Sequence, residues 1–107
     1  MKSSLIALLL ALASVNVQAA GDAAAGQQKA AVCVACHGAD GIAVIAEYPN
    51  LAGQKVKYLQ LAIKAYRDGE RRHAVMSPMA AGLSEQDIAD IAAFYASLPP
   101  AGTSSSK

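Results

Sequence analysis

Cys33-Val34-Ala35-Cys36-His37 holds both cysteines of the chain and one of its two histidines. The thiols stand three positions apart, which on a helical turn places them on one face, with the imidazole directly after. Each thiol can add to one vinyl group of a haem, while the neutral imidazole is a good donor to iron. The spacing therefore reads as a covalent haem site that fixes macrocycle and axial ligand together. Val34 and Ala35 need only be small or apolar.

Three other readings of the cysteines are available. A thioredoxin-like redox pair expects a strand leading into the motif, but the approach from Ala23 to Ala31 is helix-prone and nowhere β-branched. A structural zinc wants four protein ligands, and beyond Cys33, Cys36 and His37 the remaining sulfur-or-imidazole candidate is the distant His73. A disulfide would close a very small loop. The adjacent histidine and an exported context favour haem.

That context comes from the N-terminus. Lys2 precedes the apolar run Leu5 to Ala13, and Val17-Gln18-Ala19 offers small residues for cleavage before Ala20. The run is short for a membrane span, so residues 1–19 are expected to be a signal peptide, with a retained anchor as the alternative. Removing them from the 107 residues leaves 88, one small domain with little scope for a self-sufficient core. A buried haem would supply apolar bulk. Of 9 basic residues Lys2 lies in the leader, leaving 8 against 8 acidic ones, so no polybasic surface for nucleic acid or anionic lipid is expected.

Within the expected domain, residues 20–100, the pattern is all-α. A first helix should run from Asp22, a plausible N-cap, to about Cys36, with Gly26 free of a side chain where another helix could approach. Ile42 to Pro49 reads as an irregular apolar stretch. Gln54 to Asp68 forms a second helix with Val56, Leu59, Ile63 and Tyr66 in one stripe, and Gly69 ends it. Glu70 to Met79 has no period, and Pro78 argues against a continuous helix there. Ser84-Glu85-Gln86-Asp87 resembles a capping box opening a last helix, whose Ile88, Ile91, Ala92 and Tyr95 fall at helical spacing before Pro99-Pro100. Residues 101–107 read as a polar tail.

These residues resemble the class I c-type cytochromes, in particular the small bacterial monohaem members. The similarity rests on Cys33-Val34-Ala35-Cys36-His37-Gly38, on Tyr48-Pro49-Asn50-Leu51-Ala52-Gly53-Gln54, and on Met76 followed by Leu83 to Ile88 and Ala92-Ala93-Phe94-Tyr95. The resemblance implies a fold of small helices around one covalent haem c, with first and last helices crossing at Gly26 and Phe94. It further implies a methionine as second axial ligand. Among Met76, Met79 and His73, Met76 lies seven residues before Leu83 and matches the spacing in similar cytochromes best. Met79 is then apolar filler and His73 a solvated side chain. Pro49, twelve positions after His37, matches a family proline whose carbonyl accepts a hydrogen bond from the ligating imidazole. Tyr48, Leu51, Leu59, Ile63 and Leu83 are candidate haem walls. Lys57, Arg71 and Arg72 could neutralise propionates, with solvated charge as the better expectation.

The expected function is a periplasmic one-electron carrier rather than an enzyme, since two filled axial positions leave no open site on iron. Expected partners are redox proteins: a membrane cytochrome complex, a terminal oxidase or a periplasmic dehydrogenase. Contact should be transient, with the chain otherwise a monomer, no nucleic acid, and no stable membrane insertion after leader cleavage. The alternatives are the haem subunit of a periplasmic dehydrogenase complex and a ligand-binding haem sensor.

Overall fold

A computed structural model describes residues 20–100; the expected leader and tail lie outside the described residues. The regular structure among the described residues is helical: α1 (Ala23–Lys29), α2 (Ala31–His37), α3 (Val56–Arg67), α4 (Met76–Ala80) and α5 (Glu85–Ser97). Asp22 caps α1, its carboxylate accepting from the backbone N–H groups of Ala24 and Ala25.

The single first helix expected from sequence is two helices. Ala30 leaves helical geometry with φ −80° and ψ 3°, and its carbonyl accepts from Cys33 N at 2.7 Å and from Val34 N at 3.1 Å. This tight turn interrupts the helix while Ala30 itself stays fully buried. The break separates two jobs: α1 packs on α5, and α2 carries both cysteines and His37.

α1 meets α5 at Gly26. A Cβ there would stand 1.9 Å from the carbonyl oxygen of Asp90 and 2.9 Å from Cβ of Phe94, so only glycine permits this approach. A polar cluster ties the same two helices together. Asp90 accepts from Lys29 Nζ at 2.7 Å, from Asp22 N at 2.8 Å and from Gln86 Nε2 at 2.8 Å. Lys29 also pairs with Asp87 at 3.0 Å.

α5 opens as the sequence predicts, with Ser84 Oγ accepting from Asp87 N and the Asp87 carboxylate accepting from Ser84 N. Its Ile88, Ile91, Ala92 and Tyr95 are all buried. Leu59 of α3 joins Ala30, Ile91, Ala92, Phe94 and Tyr95 in the core, with Ile63 packed against it. Val56 does not continue the stripe inward. As the first residue of α3 it lies at the helix end and is 41% exposed. Lys64 and Arg67 of α3 each reach Glu85 of α5 at 2.7 Å.

α4 was not expected from the sequence. Pro78 is its third residue, in the first turn, where a backbone N–H would have no partner inside the helix, so the proline is tolerated there. The segment before it is irregular, as expected.

Candidate functional site

His37 ends α2, and Gly38 follows with φ +88° and donates back to Val34 O. That positive φ favours glycine, and a Cβ at Gly38 would also stand 2.1 Å from the carbonyl oxygen of Ile42. The returning loop is pinned at three points. Gly41 O accepts from Leu51 N at 2.8 Å and from Ala52 N at 3.1 Å, Asn50 Oδ1 accepts from Ala43 N at 2.8 Å, and Gly53 N donates to Tyr95 O at 3.0 Å.

So held, the loop brings the carbonyl of Pro49 to 2.9 Å from Nδ1 of His37. A carbonyl only accepts, so Nδ1 carries the proton and Nε2 is left with its lone pair. His37 is 6% exposed, and this bond fixes both its ring orientation and its tautomer.

His37, Tyr48 and Met76 line two adjoining hollows. The larger, of about 310 Å³, is walled by Leu51, Leu59 and Ile63. The smaller, of about 30 Å³, lies between Cys33, Cys36, Val75 and Met79. The structure thus brings the two thiols, the His37 imidazole and the Met76 thioether to a single cleft, with Met79 and His73 at its margins. No disulfide joins Cys33 to Cys36. Burial pushes the Cys33 thiol above its ordinary pKa, and the neighbouring Cys36 adds to the effect.

Other expected site residues fall elsewhere. Leu83 is absent from the cavity lining and packs on the core. Lys57 lies in a separate surface hollow beside Lys64 and Glu85. Arg72 borders an open hollow outside the cleft. Arg71 does reach the cavity, its guanidinium 4.6 Å from the ring centroid of Tyr66.

Two features were not read as part of the site. Tyr95, expected as plain core, is 1% exposed and lines the larger hollow. Among the described residues its hydroxyl has no hydrogen-bond partner, and burial, followed by the nearby Cys33, pushes the phenol well above its usual range. His73, expected in solvent, is exposed but also borders the cavity, and its Nδ1 accepts from backbone N–H groups.

The donor set fits a haem. Mostly apolar walls suit a flat macrocycle, paired thiols suit its two vinyl groups, and a buried imidazole with a free nitrogen suits iron. Among the described residues no group of three or more His, Cys, Asp or Glu is placed to hold a metal ion.

Comparison with known proteins agrees with this chemistry. The family model described as Cytochrome c matches residues 23–99. The chain is 60% identical over 81 residues to cytochrome c-554(548) of Halomonas halodenitrificans, covering 73% of this chain and 98% of that protein. It is similar in structure to reduced recombinant cytochrome c4 from Pseudomonas stutzeri, with a TM-score of 0.71 and 42% identity, over 75% of this chain and 47% of the other. Thiosulfate dehydrogenase from Marichromatium purpuratum, in its as-isolated form, matches with a TM-score of 0.61 and 43% identity, over 66% of this chain and 15% of that one. The chain therefore spans nearly all of the first relative and about half the length of the cytochrome c4.

Proposed function

This chain belongs to the cytochrome c family, an electron carrier with covalently bound haem c, and from that premise we propose a periplasmic, single-haem member of class I relaying one electron at a time. The observation that carries the finer reading is the convergence of Cys33, Cys36, His37 and Met76 on one cleft, with the His37 ring fixed by Pro49. When bound, haem c supplies a one-electron iron couple.

The chain's own residues do the rest. Cys33 and Cys36 would tether the macrocycle through thioethers, each S–H adding across a vinyl double bond without loss of an atom. His37 Nε2 would ligate the iron, and the Nδ1–H bond to Pro49 would strengthen that nitrogen as a donor. Met76 would be the second protein ligand, its soft thioether favouring the reduced iron and raising the potential relative to a second histidine. Leu51, Leu59 and Ile63 exclude water from the cleft. Val32 and Met79, 59% and 47% exposed beside the thiols, offer the apolar edge against which a redox partner docks briefly.

The test is the intact mass of the purified mature protein. It should equal the chain from Ala20 to Lys107 plus one haem, and acidified acetone should leave the colour with the protein. A mass equal to the unmodified polypeptide overturns the reading. Because no helix among the described residues is long and apolar enough to cross a membrane, the periplasmic assignment rests on the leader. N-terminal sequencing should begin at Ala20, and an intact Met1 in the membrane fraction would favour a retained anchor.

A second reading is supported by the likeness to a thiosulfate dehydrogenase. Here the chain serves as the haem subunit, or dedicated acceptor, of a periplasmic dehydrogenase. Size-exclusion of native material separates the two: a lone species favours the shuttle, and stable co-purification with a catalytic chain favours the subunit.

A further inference from the structure

The helix that presents Met76 is five residues long, too short to hold itself by its own hydrogen bonds. Its first N–H groups need acceptors, and the residue immediately before it, Val75, offers no side-chain cap. His73 supplies the acceptor from further back. Its Nδ1 lies 3.1 Å from Val75 N and 3.3 Å from Met76 N, taking both donors. In return His73 N donates to Ser77 Oγ at 2.9 Å, and Ser77 N donates to His73 O at 3.1 Å. The pattern is that of a reciprocal cap with an imidazole in place of the usual short oxygen side chain.

The imidazole is itself steered from α3. Its ring stands edge-on to Tyr66, with centroids 6.4 Å apart and planes at 77°. Tyr66 in turn lies under the Arg71 guanidinium, and Arg71 N donates to Ala65 O at 3.0 Å. Tyr66, His73 and Met76 all border the same cavity. Accepting two N–H groups requires the lone pair on Nδ1, which leaves the hydrogen on Nε2. In this arrangement neither nitrogen of His73 offers a free lone pair to iron.

We infer that His73 is a positioning residue: it caps the turn that carries Met76 and so keeps the thioether in the cleft. This rests on Met76 being the second axial ligand.

The test uses the ferric holoprotein and three variants: His73→Ala, His73→Asn and Met76→Ala. Two quantities are read, the rate at which added imidazole displaces the native ligand and the amide exchange of residues 75 and 76. Losing a cap of ordinary strength should raise both rates about tenfold in His73→Ala, while His73→Asn, whose short oxygen can accept from the same amides, should stay within about threefold of wild type. Wild-type rates in His73→Ala overturn the inference. So does a rise in His73→Asn equal to that in His73→Ala, because the ring and not the acceptor would then matter. Met76→Ala separates this from the underlying reading: if it keeps the far-red sulfur-to-iron band of the native protein, the ligand assignment itself falls.

Discussion

Met76 and Met79 sit three residues apart on α4, and their surroundings separate them. Met76 is half-buried and borders both hollows, whereas Met79 borders only the smaller one and is 47% exposed. Met76→Ala should therefore abolish the far-red band of the ferric protein, lower the reduction potential and admit carbon monoxide to the reduced iron. Met79→Ala should keep the band and change stability by less than about 1 kcal/mol, as expected for a partly exposed side chain. Optical spectra of both variants check this, and the opposite pattern exchanges their roles. Asp90 gives a second residue-level expectation. Lys29 first, then the backbone of Asp22 and the Gln86 amide, hold its carboxyl down at about pKa 2. A depressed folded pKa means that the ionised cluster stabilises fully above the ordinary carboxylate range, near 4, and that this contribution is lost as pH falls from there through about 2. Acid titration of stability should show that loss, and Asp90→Asn should flatten it. The thiols and His37 were legible in the sequence because their chemistry is contiguous. Tyr95 and His73 were not, because a buried hydroxyl facing a cleft and an imidazole capping a turn depend on contacts that spacing does not encode.

At the scale of elements, the interlock of α1 and α5 depends on one missing side chain. Gly26→Ala would drive a methyl group into the Asp90 carbonyl, and overpacking of this kind costs about 1–3 kcal/mol. Urea denaturation of the holoprotein should show a fall of that size; an unchanged midpoint would mean that the helices can separate freely. Ser84→Ala should cost about 1 kcal/mol by removing the side-chain half of the α5 cap. Both features were readable, the first from a bare glycine in an alanine-rich helix and the second from a local hydrogen-bonding code. The break at Ala30 was not, since alanine favours helix and only burial against the core selects the bend. α4 was hidden for the converse reason: Pro78 reads as a breaker until its place in the first turn is known.

For the whole molecule, the chain divides its work between a helix pair that closes the fold and a cleft that gathers its sulfur and imidazole donors. The exposed apolar edge at Val32 and Met79 lies beside the thiols, so the expected docking face and the haem tether coincide. A carrier so built should move one electron through one centre. Potentiometric titration of the intact holoprotein, followed by visible absorbance, tests this most directly, with haem per chain counted in the same sample. One haem per chain and a single reversible wave with a one-electron slope are expected. Two resolved waves, more than one haem per chain, or no reversible wave would contradict a single-haem electron carrier.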